Sequence, residues 1–114
     1  MSNAVSYLEI GSGANSAESA AFFGQLFGWP FREIGGGNGW FQADGIRAGL
    51  HPNDPAPGIT VFFAVDDLEA AVAKVKELGG TASLPGEEEP GFGRFSLCSD
   101  PQGVPFGLHA RHND

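Results

Sequence analysis

The chain alternates short strand-like runs with two longer amphipathic stretches. The β-prone run Val5–Ile10 predicts a strand. The first amphipathic stretch has an apolar face of four residues spaced as on a helix: Phe22, Phe23, Leu26 and Phe27. Asn15 or Ser16 can cap this predicted helix, and Gly28 is a natural end for it. The first two predicted elements are thus a strand and a helix.

Three short strands follow, and the second half of the chain repeats the same order. The three strands are Trp29–Ile34, Trp40–Ala43 and Ile46–His51, with the glycine-rich hairpin loop Gly35–Gly39 after the first. The second half begins with the strand Ile59–Val65 and a helix whose apolar stripe ends at Leu78. Asp66-Asp67 is predicted to cap that helix, and Asp66 and Glu69 are spaced as a capping box. The last predicted strands are Thr81–Leu84, Arg94–Ser99 and Pro105–Ala110.

The order βαβββ therefore occurs twice, and Gly-Leu-His recurs near the end of each half, at 49–51 and at 107–109. An internal repeat of this kind predicts two similar structural units. The predicted fold class is α+β, with two tandem βαβββ modules forming a curved eight-stranded mixed sheet around a cavity and the helices outside. The chain is predicted to be a single domain over residues 1–114, with module 1 at about 5–51, a linker at 52–58 and module 2 at about 59–110.

Composition and charge narrow the range of partners. Six Lys and Arg residues against fourteen Asp and Glu give a net charge of −8, which argues against nucleic acid because phosphate backbones attract clustered cations. Cys98 is the single cysteine, so neither a disulfide framework nor a thiolate metal cluster is expected. No apolar run approaches the length of a membrane span, and no secretion signal is recognisable. These features predict a cytoplasmic protein without nucleic-acid or membrane partners.

Four segments resemble the vicinal oxygen chelate superfamily, which includes glyoxalase I, bleomycin-resistance proteins and extradiol dioxygenases. They are residues 22–29 (FFGQLFGW), 63–71 (FAVDDLEAA), 77–80 (ELGG) and 100–108 (DPQGVPFGL). More narrowly, the chain is similar to short bacterial glyoxalase-related proteins. The resemblance implies a homodimer and, in the enzymes of the superfamily, a divalent metal that bridges two neighbouring oxygens of the substrate.

The metal ligands of those enzymes have no counterpart at the matching positions of this chain. By the resemblance, the four ligand positions fall at Val5, Gly49, Thr60 and Gly107. None of these residues supplies an imidazole, a carboxylate or a thiolate. A one-residue error in the match would move each position to the opposite strand face, where no ligand set is found either. We therefore predict that the family's divalent metal is absent and that no other cofactor is bound.

The remaining candidates for function are side chains predicted to line the cavity. Period-two alternation and the spacing of aromatic residues indicate nine of them: Tyr7, Glu9, Trp40, Arg47, His51, Thr60, Phe62, Phe92 and His109. Glu9 is the catalytic candidate, as a general base, or else the partner of a cationic ligand. A structural ion pair of Glu9 with Arg47 or Arg94 is the simpler alternative.

His51 and His109 occupy equivalent positions in the two halves, each two residues beyond an empty ligand position. They are interpreted either as a displaced metal pair with Glu9 or as a base and its partner, against the alternative of ordinary strand-end histidines. The function predicted first is binding of a small molecule, for which the acidic charge favours a cationic ligand. The alternative is a lyase or isomerase related to lactoylglutathione lyase, with a non-standard metal site or none. A purely dimerising or regulatory module is a third hypothesis.

Overall fold

The computed structural model describes residues 3–86 and 93–111, which contain eight strands and two helices. In chain order these are β1 (Val5–Gly11), α1 (Ser16–Phe27), β2 (Phe31–Gly35), β3 (Asn38–Gln42), β4 (Arg47–His51), β5 (Gly58–Ala64), α2 (Leu68–Glu77), β6 (Thr81–Ala82), β7 (Gly93–Ser99) and β8 (Pro105–Arg111). The strands pair in the order β2-β3-β4-β1-β5-β8-β7-β6, with β1–β4 and β5–β8 parallel. The predicted α+β class, βαβββ repeat and eight-stranded mixed sheet are confirmed.

The chain divides into two compact units that both take residues from β1 and β5. The first unit is Tyr7–Thr60 and holds α1 with β2, β3 and β4. The second unit combines residues 3–6 with the described residues from Val61 onward, so it holds α2 with β6, β7 and β8. Its two chain segments meet where the backbone N–H of Ala64 donates to the carbonyl of Ala4 at 2.8 Å.

In the first unit, α1 covers one face of the sheet because both surfaces are apolar there. The side chain of Asn15 caps the helix by accepting a hydrogen bond from the N–H of Glu18 (3.2 Å), and Gly28 ends it with a φ of 71°. The buried core residues are Ile10, Phe41, Ala48 and Leu50, with Leu8, Ala20, Phe23 and Trp29 packed against them. Since side chains alternate along a strand, the intervening residues of β1, β3 and β4 lie on the face away from α1.

In the second unit, α2 packs on the sheet through Leu68 and Val72, which meet Leu108 and the buried thiol of Cys98. The predicted capping of α2 by the Asp66-Asp67 pair is confirmed at Asp67, whose Oδ1 accepts from the N–H of Ala70 at 3.0 Å, whereas the capping box based on Asp66 is wrong. Glu69, the second residue of the predicted capping box, accepts a hydrogen bond from Arg94 at 2.5 Å instead. Neither helix within the described ranges is long and apolar enough to span a membrane.

Candidate functional site

The face of the first unit that points away from α1 carries most of its chemically active side chains. Strands β1 and β4 run parallel, with Glu9 paired with Gly49 and Gly11 paired with His51. Paired residues share a face, so the side chains of Glu9 and His51 lie on neighbouring strands of the same surface. Tyr7 lies two residues before Glu9 and is therefore on that surface as well.

Four side chains on this surface form a continuous hydrogen-bonded group, which we call the polar cluster: Tyr7, Glu9, His51 and Asp54. His51 is at its centre. Its Nδ1 lies 2.5 Å from Oε2 of Glu9, and its Nε2 lies 3.0 Å from Oδ2 of Asp54. The hydroxyl of Tyr7 donates to the other oxygen of Glu9 at 2.8 Å. The imidazole is thus held between two carboxylates, one of which is also held by a phenol.

Two glycines provide the space in which the polar cluster lies. A Cβ atom at Gly49 would collide with the hydroxyl of Tyr7 and with Oε1 of Glu9. A Cβ atom at Gly11 would collide with the carboxylate of Asp54 in the same way. The absence of these two side chains lets the functional groups of the cluster lie directly on the backbone of β1 and β4. The glycine of the first Gly-Leu-His repeat is therefore the floor of this site.

The surroundings of His51 favour its charged form. A neutral imidazole donates from one nitrogen only, whereas both nitrogens of His51 face carboxylate oxygens, which is the arrangement that the doubly protonated ring satisfies. The hydrogen bond to Glu9 raises the pKa of His51 above its ordinary value; partial burial opposes this, and Asp54 adds to it. The pKa of Asp54 is lowered, first by the hydrogen bond from the N–H of Ala56 and then by His51.

We expect the protonation of His51 to stabilise the fold in a defined pH window. Because the pKa is raised in the folded state, this contribution is complete below about pH 6.5, the ordinary pKa of an unfolded histidine. It is lost as the pH rises through the higher folded-state pKa, so the stability difference between wild type and His51→Gln should shrink over that range. Chemical unfolding of both proteins at a series of pH values measures this difference in the free energy of unfolding.

The same shift can be read directly from the ring protons of His51 in an NMR titration. We expect Glu9→Gln to bring the pKa of His51 back toward its ordinary value. The substitution removes the carboxylate whose hydrogen bond with His51 is the largest cause of the raised pKa. The matched control is Glu18→Gln, an exposed carboxylate on α1 that lies outside the polar cluster. A His51 titration that is unchanged by Glu9→Gln would contradict the assigned cause.

Trp40 and Arg47 lie beside the polar cluster on the same surface. The guanidinium carbon of Arg47 lies 3.9 Å from the centroid of the Trp40 ring, a cation–π contact. Trp40 is paired with Gly49, and Arg47 is paired with Tyr7, so both belong to the face that carries the cluster. Five of the nine predicted lining residues are thus brought together in the first unit: Tyr7, Glu9, Trp40, Arg47 and His51.

The other predicted residues are distributed differently. Thr60 is half-buried on β5. Phe62 is buried against Phe95, with ring centroids 5.8 Å apart, and its ring fills the space that a Cβ of Gly107 would need. His109 is buried, 5% exposed, and its Nδ1 lies 2.9 Å from the hydroxyl of Ser6. Phe92 lies outside the described residues.

Two expectations about this site need correction. Neither Arg47 nor Arg94 is the ion-pair partner of Glu9, because Glu9 contacts His51 and Arg94 contacts Glu69. Asp54 was missed because it lies in the segment interpreted as a linker. Its N–H bonds to the carbonyl of Ser12, which folds that segment back over His51. The His-Pro-Asn-Asp run was the available signal, since Asp three residues after His at a turn can reach the ring.

The side chains on this face do not suit a metal of the superfamily's type. Within residues 3–86 and 93–111, no group of three or more His, Cys, Asp or Glu is arranged to hold a metal ion. Both nitrogens of His51 already contact carboxylates, so neither has a lone pair directed at open space. At Gly49, where the resemblance places a metal ligand, the side chains of Tyr7 and Glu9 fill the volume. Within the second unit, Phe62 fills the corresponding volume at Gly107.

A separate small cavity of about 210 Å³ lies on the α1 side of the first unit. It is lined by Ser16, Ala17, Ala20, Phe31, Glu33, Gly37 and Leu50. None of the predicted site residues contributes to it. The polar cluster is therefore not part of the lining of this cavity.

Comparison with known protein sequences identifies the family to which the chain belongs. A family profile described as a glyoxalase-like domain matches residues 12–109. The anthracycline biosynthesis protein DnrV of Streptomyces peucetius is 31% identical over an alignment of 127 positions, which covers 92% of this chain and 46% of that protein. The Mycobacterium tuberculosis protein CFP32, whose name describes it provisionally as a glyoxylase, is 35% identical over 82 residues. This match covers 67% of this chain and 31% of that protein. The chain thus spans less than half of the length of these relatives.

Comparison with solved structures agrees at the level of the fold. Methylmalonyl-CoA epimerase from Mycobacterium tuberculosis matches with a TM-score of 0.71 at 14% identity, over 96% of this chain and 88% of that one. Homoprotocatechuate 2,3-dioxygenase from Brevibacterium fuscum matches with a TM-score of 0.77 at 18% identity, over 98% of this chain and 37% of that one. These likenesses and the profile match confirm the resemblance stated from the sequence. The chain belongs to the glyoxalase-like family.

Proposed function

We propose that this glyoxalase-like protein binds a small organic molecule on the face that carries the polar cluster, without the divalent metal of its catalytic relatives. The observation that supports this most is the position of His51, held between Glu9 and Asp54 on a face where Gly49 and Gly11 leave room for the functional groups of the cluster. Ionised groups held by hydrogen bonds on rigid strands are pre-organised, so a ligand need not order them on binding.

The absence of a metal is part of the proposal and has its own support. A metal ligand at Gly49 would require a side chain where Tyr7 and Glu9 now lie, and recruitment of His51 would break a contact with a carboxylate. Each of these changes would remove hydrogen bonds to charged groups, which are among the stronger ones in proteins. The protein is therefore expected to function with its ligand alone.

Metal analysis and a ligand screen test the two parts of this proposal. We expect protein expressed in medium supplemented with Ni, Zn, Fe and Mn to contain far less than one metal ion per chain after purification. A ligand-observed NMR screen of small acids, amides and amines should give binders that EDTA does not displace and that Glu9→Gln or His51→Gln weakens. Stoichiometric metal that is lost in His51→Ala would refute the metal-free site.

A second candidate function is acid–base catalysis at the same face, as in a metal-free lyase or isomerase. The specific observation that favours it is the chain of contacts from the Tyr7 hydroxyl through Glu9 to His51, in which a proton lost by a substrate could be received by a carboxylate. Exchange of the acidic C–H protons of ketones and thioesters in D₂O, followed by NMR, tests it. Exchange that Glu9→Gln abolishes would favour the enzyme over the binding protein.

A further inference from the structure

The positive charges of the first unit are concentrated at one place. Between Tyr7 and Thr60 the sequence contains two Lys or Arg residues, Arg32 and Arg47. Arg32 on β2 is paired with Trp40 on β3, and the guanidinium of Arg47 on β4 lies over the ring of Trp40. Both arginines therefore flank one tryptophan on the face that carries the polar cluster. In a chain with a net charge of −8, this is a local reversal of sign.

Arg47 is exposed while its guanidinium carbon lies over the ring of Trp40. A guanidinium that stacks on an aromatic ring does so through a flat face, which leaves the N–H donors in its plane available. Arg47 and Arg32 are both exposed, and no carboxylate in the described part of the chain lies within ion-pair distance of either. The rigid ring of Trp40 holds Arg47 in one orientation, which lowers the entropy that an anion would otherwise lose in ordering it.

The stacked arginine adjoins the polar cluster. Arg47 is paired with Tyr7 on the neighbouring strand, about 4.8 Å away, and the Tyr7 hydroxyl lies above Gly49, which is paired with the Trp40 that Arg47 contacts. Gly49 is paired with Trp40 on β3 and with Glu9 on β1, and the Tyr7 hydroxyl and Oε1 of Glu9 occupy the space where a Cβ of Gly49 would lie. The paired residues Arg32, Trp40, Gly49 and Glu9 therefore form a row across four strands, with a cation at one end and the polar cluster at the other.

We propose that the ligand of this face is a small organic carboxylate, whose carboxylate binds Arg47 and whose second polar group hydrogen-bonds to the Tyr7–Glu9 pair. This inference rests on the proposed binding function and names its ligand class. A planar guanidinium and a carboxylate match in a two-bond geometry, which amides and ammonium groups do not reproduce. The assignment differs from the cationic ligand that the overall charge favours, because the local charges at the binding edge have the opposite sign.

Three probes that share one ring and one hydroxyl test the assignment: salicylate, salicylamide and 2-hydroxybenzylamine. Their affinities are measured by ¹H–¹⁵N NMR titration of the full chain, followed at the Trp40 indole and the Arg47 Nε–H. We expect salicylate to bind about tenfold more tightly than either of the other two, the ratio that corresponds to one good charge-assisted contact. The resonances of Tyr7 and His51 should shift together with those of Trp40.

Substitution of Arg47 separates the roles of charge and geometry. We expect Arg47→Gln to lose about tenfold in salicylate affinity, and Arg47→Lys to lose about threefold because an ammonium keeps the charge but not the planar pair of donors. The control, Lys76→Gln, removes the same charge from an exposed position on α2 and should change nothing. Because Arg47 is exposed, neither variant should unfold, and a dispersed NMR spectrum confirms this for each.

The outcomes distinguish this inference from the function on which it rests. Equal affinity for the three probes at this face, or unchanged salicylate affinity in Arg47→Gln, overturns the carboxylate assignment and leaves a binding site of another specificity. If no probe shifts the resonances of Tyr7, Trp40 or His51, and the wider ligand screen also finds no binder there, the binding function itself is refuted.

Discussion

Replacing Phe41 by alanine should lower the free energy of unfolding by about 3–5 kcal/mol, the range found for large aromatic residues in protein cores. Phe41 is 0% exposed and lies in the centre of the first unit, where Ile10, Ala48 and Leu50 surround it. Its ring lies 4.8 Å from that of Phe31 and 5.9 Å from that of Trp29, measured between centroids. Truncation would leave a cavity among rigid strands that cannot close it.

A matched control is available on the helix that covers this core. Phe22 on α1 is 60% exposed, so Phe22→Ala should change the stability by no more than about 0.5 kcal/mol, as surface substitutions usually do. Urea unfolding of both variants, monitored by circular dichroism, gives the comparison. Similar losses for the two phenylalanines would mean that the packing of the first unit is not as described.

Replacing Gly107 by alanine should destabilise the second unit by about 1–3 kcal/mol, as overpacking of a tight core does. A Cβ atom there would collide with three atoms of the Phe62 ring. That ring is 3% exposed and packs edge-to-face on Phe95, so it has little room to move away. The matched control is Gly13→Ala, where a Cβ atom meets nothing within 4 Å.

A double substitution shows whether the collision is the cause. In Phe62→Leu the smaller side chain vacates part of the space above Gly107, so the loss caused by Gly107→Ala should be smaller in that background. The difference between the two backgrounds is the coupling energy of the pair, which reaches about 0.5–3 kcal/mol for residues in contact. Strictly additive losses would show that Gly107 is needed for another reason.

The fold could be predicted from the sequence because its local signals agree with one another. Asn15 and Gly28 mark the ends of α1, and each strand was located to within about two residues at its ends. The capping box of α2 was misplaced because Asp66 and Asp67 are adjacent and spacing alone does not choose which of them is the N-cap. Glu69 has the spacing of a capping box, but its carboxylate forms an ion pair with Arg94 on β7 instead.

The candidate site was predictable as a face but not as a set of contacts. Period-two alternation brought Glu9 and His51 to one surface, and the resemblance indicated that Gly49 replaces a ligand. The partner of Glu9 could not be chosen, because the relative register of β1 and β4 decides whether Arg47 or His51 lies within reach. Asp54 could not be placed because its position depends on how the segment after β4 returns to Ser12.

The second unit is built from the chain segments that precede and follow the first unit in sequence. This arrangement affects the order in which the two units can fold during synthesis. The first unit is continuous in sequence, and all of its strands and α1 have been translated once Thr60 is complete. The second unit needs the early segment before Tyr7 and also β8, which is translated last among the described elements. Residues 3–6 must therefore remain available on the nascent chain while the first unit folds, and a domain that can fold early does so as a unit.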